Sequence, residues 1–120
     1  MLEHVSVPVS DYARAKAFYT AALMPLGYEL TQEYPTEAAG FKEGGHTSFW
    51  FAKKAQVIPT HVAFLAKDRG EVDAFHRAAL AAGGTDNGGP GRREGYGYAA
   101  FALDPDGNNI EAVVFEEGEE

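Results

Sequence analysis

The stretch His4–Gly27, HVSVPVSDYARAKAFYTAALMPLG, returns further along the chain as His61–Gly84, HVAFLAKDRGEVDAFHRAALAAGG. Laid over each other, the two share His4/His61, Val5/Val62, Asp11/Asp68, Ala17/Ala74, Phe18/Phe75, Ala21/Ala78, Ala22/Ala79, Leu23/Leu80 and Gly27/Gly84. The alanine matches carry little weight in an alanine-rich chain. The opening His-Val, the aspartate, the phenylalanine and the closing glycine fall at distinct points of one pattern. The chain therefore reads as two copies of a unit of about 60 residues.

Each copy follows the same order. EHVSVPV and THVAFLA are short β-rich runs suited to strands. Ser10 or Asp11 in the first copy, and Asp68 in the second, offer a side-chain oxygen to cap a helix. Ala15, Phe18, Tyr19 and Ala22 then share one helical face, as do Val72, Phe75, Ala79 and Ala82. Gly27 and Gly83–Gly84 end these helices. Strands are expected next at 28–34, 38–42 and 47–53, and in the second copy at 85–87, 98–103 and 108–115. DNGGPG and DPDG carry turn chemistry between them. The predicted fold class is α+β, with two β-α-β-β-β modules, about 1–55 and 58–116, in a single domain spanning 1–120. The closing EEGEE, 116–120, reads as a solvated acidic tail.

Composition narrows the function. At 120 residues, 45% hydrophobic and 23% charged, the chain can bury a core without disulfides, and it has no cysteine to form one. A thiol nucleophile and a thiolate metal site are excluded. The net charge of −8 argues against a nucleic-acid surface. No apolar run approaches the roughly 20 residues needed to cross a bilayer, and the N-terminus has no secretory pattern. A cytoplasmic location is the expectation. The glycines of GTDNGGPG precede no helix signal, so no phosphate-binding turn is read there.

One carboxylate, Glu111, stands inside the apolar run NNIEAVVF. Strand alternation puts it on the face opposite Ile110, Ala112 and Val114. The same rule places His4 with Ser6 and His61 with Ala63, opposite the larger apolar residues that pack beneath the helices. Two imidazoles and one carboxylate suit a divalent ion such as Fe(II), Mn, Ni, Co or Zn, with coordination positions left open. Each histidine also suits a surface or hydrogen-bonded role. His46 and His76 have no equivalent partner in the other copy and are expected to face solvent.

The doubled unit, a histidine opening each half (EHVSV, THVAF) and DPDGNNIEAV in the last hairpin resemble the vicinal oxygen chelate superfamily. That group includes glyoxalase I, extradiol dioxygenases, fosfomycin-resistance proteins and bleomycin-binding proteins. The resemblance runs from His4 to about Phe115. It implies a half-open barrel around a central cavity and a metal held by His4, His61 and Glu111. It also implies a small-molecule substrate chelated through vicinal oxygens, and a homodimer. A fourth ligand, a glutamate on the last strand of the first unit in glyoxalase I, has no counterpart. TSFWFAK carries no acid, and Trp50 or a neighbour stands at that position. Classical glyoxalase I activity is therefore not expected. Lyase, isomerase, transferase and dioxygenase chemistry stay open, as does non-catalytic sequestration of a ligand.

Aromatic and cationic residues flank this candidate site. Ser48 and Trp50 share a strand face and are candidates to line the cavity, although Trp50 also suits a core position. GRREGYGY places Arg92, Arg93, Tyr96 and Tyr98 in one segment, suited to an anionic or phenolic substrate. Tyr96 and Tyr98 are also the candidates to donate a catalytic hydrogen bond.

Overall fold

In the computed structural model, which describes residues 1–116, the repeat appears as two sheets, each with its own helix. The first module runs β1 (Val5–Val9), α1 (Tyr12–Leu23), a 3₁₀ turn (Met24–Leu26), β2 (Glu29–Tyr34), β3 (Ala38–Glu43) and β4 (His46–Lys53). The second runs β5 (His61–Leu65), α2 (Arg69–Ala81), β6 (Thr85–Asp86), β7 (Gly91–Arg93), β8 (Gly97–Leu103) and β9 (Asn109–Val114). The strand orders are β1-β4-β3-β2 and β5-β9-β8-β6, with β1/β4 and β5/β9 parallel. The expected α+β fold of two equivalent modules is present. Of the tail expected at 116–120, all but Glu116 lies outside the described residues.

The second module carries one strand more than expected. Segment 91–93, read as loop, is β7. Both β6 and β7 pair with β8, Thr85 against Leu103 and Gly91 against Ala99, so together they fill one strand position. Gly88, at φ +138°, and Pro90 break it in two. Proline within the run hides the strand from a reading by pattern.

Local signals explain the helix ends. The Asp11 and Asp68 carboxylates accept from the Arg14 and Glu71 backbone N–H groups, each at 2.9 Å. Gly27 and Gly83 take positive φ after the helical segments. Gly84 serves a different need. A Cβ there would lie 2.7 Å from the Phe18 ring and 2.8 Å from the Ala79 carbonyl oxygen, so the closing glycine lets the modules approach.

That approach makes one core. Val7, Phe18, Tyr19, Phe41, Phe49 and Phe51 from the first module merge with Phe64, Phe75, Ile110 and Ala112 from the second. Phe49 meets Phe64 edge-on at 5.1 Å, and α1 packs on α2. Each sheet thus spends one face on a shared core. The other face carries Ser6, Ser48 and Trp50 on the first sheet, and His61, Ala63, Glu111 and Phe101 on the second. His76 departs from expectation. It is buried, and its Nε2 sits 2.9 Å from Asp86 Oδ1, because its position on α2 adjoins the buried Val72 and Phe75 face. His46 is exposed, as expected, with Nε2 2.6 Å from the Glu3 carbonyl oxygen.

A buried polar knot ties the modules at the DPDG turn. Tyr19 Oη donates to Asp104 Oδ2 at 2.5 Å, and burial together with that carboxylate holds the phenol well above its ordinary ionisation range. The phenol stays neutral in the folded chain above pH 10.0, where an unfolded tyrosine ionises, so stability falls as pH rises past that value. Tyr19→Phe is expected to cost about 1.5–3 kcal/mol at neutral pH, read from urea unfolding. Above pH 10 its stability should fall less steeply than the wild type's.

Candidate functional site

Strand pairing sets Ala63, Glu111 and Phe101 side by side across β5, β9 and β8, and His61 next to Asn109. His61 is about half exposed and Glu111 is 1% exposed. The ring nitrogen Nδ1 of His61 lies 2.9 Å from the Asn109 carbonyl oxygen. A carbonyl only accepts, so Nδ1 carries the proton and Nε2 is left to face Glu111 Oε1 at 3.0 Å. Phe101 stacks beside the imidazole, centroids 6.3 Å apart.

Glu111, the one acid inside the apolar run of β9, has two oxygens in different surroundings. Oε2 accepts the hydroxyl proton of Tyr96. Burial, then that hydrogen bond, push the Tyr96 phenol up to about 12, so it remains a donor at neutral pH. Oε1 is buried and, among the described residues, receives no hydrogen bond; its close polar neighbour is His61 Nε2. An unpartnered buried carboxylate oxygen is costly. Beside a neutral Nε2 the two face each other as acceptors, and only a positive species between them relieves it: a proton or a metal ion.

The donors fit a metal. His61 has the tautomer that metal-binding histidines use, its far nitrogen fixed by a carbonyl. Two ligands at about 2.1 Å from one ion and at right angles stand about 3.0 Å apart, which is the separation of Nε2 and Oε1. The third expected ligand is elsewhere. His4 Nδ1 lies 2.5 Å from Glu3 Oε1. With Tyr28 and Ser48 it lines a cavity of about 160 Å³ against Val62–Leu65 of β5, without His61 or Glu111. Among the described residues no three His, Cys, Asp or Glu groups gather closely enough to hold an ion.

The flanking candidates divide by strand parity. Arg93 pairs with Gly97 and shares the Glu111 face; its guanidinium lies over Phe101 at 5.5 Å and is held by the Gly89 and Gly91 carbonyls. Arg92 pairs with Tyr98 and falls on the opposite face. Tyr98 donates to Asp73 of α2 at 2.6 Å, beneath the Arg69 guanidinium, and Arg92 reaches Glu116. Neither belongs to the group around Glu111. Trp50 is half-buried on the first sheet's outer face, stacked on Tyr34 at 6.0 Å, its ring laid over Gly40 where a Cβ would come within 2.8 Å. Sequence reading missed Phe101 and Asn109. Counting back from the DPDG turn along a two-stranded hairpin would have set Phe101 opposite Glu111.

Comparison with known proteins agrees with this architecture. A family model described as the Glyoxalase/Bleomycin resistance protein/Dioxygenase superfamily matches residues 1–112. Among solved structures, a glyoxalase/bleomycin resistance protein from Albidiferax ferrireducens T118 is 31% identical. The match covers 95% of this chain and 98% of that one, with a TM-score of 0.83. A lactoylglutathione lyase from Agrobacterium tumefaciens is 22% identical over 95% and 92%, TM-score 0.72. A glyoxalase-related enzyme from Fulvimarina pelagi is 16% identical over 95% and 87%, TM-score 0.76. No curated protein matches the sequence. With two equivalent modules, a His61–Glu111 pair on one sheet face and a family match over almost its whole length, this chain belongs to the Glyoxalase/Bleomycin resistance protein/Dioxygenase superfamily.

Proposed function

We propose that the protein is a divalent-metal-dependent, glyoxalase-like enzyme of lyase, isomerase or dioxygenase type acting on a small molecule. The observation that carries this is the buried Glu111 Oε1, which receives no hydrogen bond among the described residues and stands 3.0 Å from His61 Nε2. His61 and Glu111 would hold the ion, and His4 of a second copy of the chain would complete the set. The ion, when bound, supplies a Lewis acid that holds two substrate oxygens and stabilises negative charge on one of them.

The chain's own residues supply the rest. Arg93 places a fixed positive charge on the same face, suited to a substrate with anionic character. Phe101 gives the imidazole an apolar neighbour and limits water on that side. β4, HTSFWFAK, has Trp50 or a neighbour at the position where glyoxalase I carries a carboxylate and has no acid of its own, so isomerisation of the glyoxalase I kind is disfavoured. The second copy is invoked because the cavity that His4 lines takes in Val62–Leu65 of β5 but neither His61 nor Glu111, and His4 makes its close polar contact with Glu3 instead.

Two measurements test this. Untagged wild-type protein should bind one equivalent of Mn, Fe, Co, Ni or Zn by plasma mass spectrometry, and Glu111→Gln should lose it. Absence of metal from the wild type after soaking would favour a module that sequesters its ligand without chemistry. His4→Ala and Glu111→Gln should each bind weakly alone. Unfolded together and refolded, they should regain about a quarter of the wild-type sites, since half of the dimers are mixed and each mixed dimer has one intact site. No recovery would place His4 and Glu111 of the same chain in one site, and full binding by His4→Ala alone would place His4 in none.

A further inference from the structure

We propose that Tyr96 is a positioning residue: by occupying Glu111 Oε2, its hydroxyl holds this carboxylate as a one-oxygen ligand that presents only Oε1 to the ion. The inference rests on the metal reading above and goes beyond it by assigning the coordination mode to a residue that touches no metal. A carboxylate alone has two equivalent oxygens and can close on an ion with both. Here one is taken by a phenol donor and the other faces His61 Nε2 at 3.0 Å without receiving a hydrogen bond among the described residues.

The hairpin tip is built to deliver this contact. The Tyr96 N–H closes a tight turn on the Arg93 carbonyl at 3.0 Å. Gly95 sits at φ +68° and Gly97 at φ +128°, a region that favours glycine at each. A Cβ on Gly97 would stand 2.6 Å from the Val114 carbonyl oxygen, so only glycine lets the tip lie this close to β9. The Tyr96 ring then packs edge-on against Phe115 at 6.3 Å, which fixes its reach over Glu111. Tyr98, two residues on, spends its hydroxyl on Asp73 instead.

The test compares Co(II) binding by wild-type protein, Tyr96→Phe and Tyr98→Phe, with affinity from chelator competition and geometry from visible absorption. Tyr96→Phe should weaken Co(II) about 10- to 100-fold, the usual loss when a ligand's hydrogen-bond partner goes. Its visible bands should also weaken and shift, as a second carboxylate oxygen raises the coordination number. Tyr98→Phe should leave both unchanged. A Tyr96→Phe protein with wild-type affinity and bands overturns the assignment while leaving the metal site standing. Weaker binding with unaltered bands overturns it too, since Tyr96 would then only support the fold. If the wild type takes up no Co(II), the metal reading itself fails and this inference falls with it.

Discussion

The Asp104 carboxylate at the β8–β9 turn is the point on which the rest of the structure hangs. Oδ1 accepts the Asp106 and Asn108 backbone N–H groups at 2.9 and 2.8 Å, and Oδ2 accepts Tyr19 Oη and Asn108 Nδ2. Asn108 extends the knot, donating to the Pro8 carbonyl at 2.9 Å and accepting from the Thr60 N–H at 2.9 Å. One buried aspartate and one buried asparagine thus hold α1, the end of β1, the entry to β5 and the last hairpin. Every hydrogen bond satisfies a group that burial would otherwise strand, and such networks specify one arrangement of the elements around them. The next residue, Asn109, gives its carbonyl to His61. The clamp that joins the modules also sets the imidazole's tautomer.

The two modules have diverged on the faces the core does not use. In the second, that face carries a buried acid with His61, Tyr96 and Phe101 gathered about it. In the first, the corresponding stretch of β4 offers Trp50, flattened over Gly40 and stacked on Tyr34. An acid there would need its own partner in low dielectric, whereas an indole lies against backbone and ring at little electrostatic cost. The symmetry of the repeat is therefore kept in strands, caps and core and dropped on the faces that carry Trp50 and Glu111.

How much of this the sequence disclosed follows from what periodicity can carry. The module order, both helix caps and the shared face of His61 and Glu111 were legible, because alternation and capping are local and the repeat checks each against a second copy. Which cation and which phenol join Glu111 was not legible. Arg92 and Arg93 are neighbours, as are Tyr96 and Tyr98 in parity, and only a known strand decides between faces. β7 was hidden by glycine and proline, so its parity had no anchor. Tyr96 reaches Glu111 from a turn, where alternation does not apply. His4 shows the opposite limit: its strand face was assigned from pattern, but a face does not say what stands across from it.

That last point bears on how the ligands meet. Each sheet has two faces, and one of each is committed to the single core that α1 and α2 close between them. The faces bearing Trp50 and Glu111 are the ones left over. Within one chain the two faces meet at the small cavity where His4 and Ser48 stand against Ala63 and Leu65, and neither His61 nor Glu111 lines it. The twofold dimer proposed above would set the first-module face of one chain against the second-module face of the other, at two equivalent places. A buried carboxylate oxygen that faces an imidazole nitrogen and receives no hydrogen bond among the described residues is what one half of such a site would look like before its other half is counted.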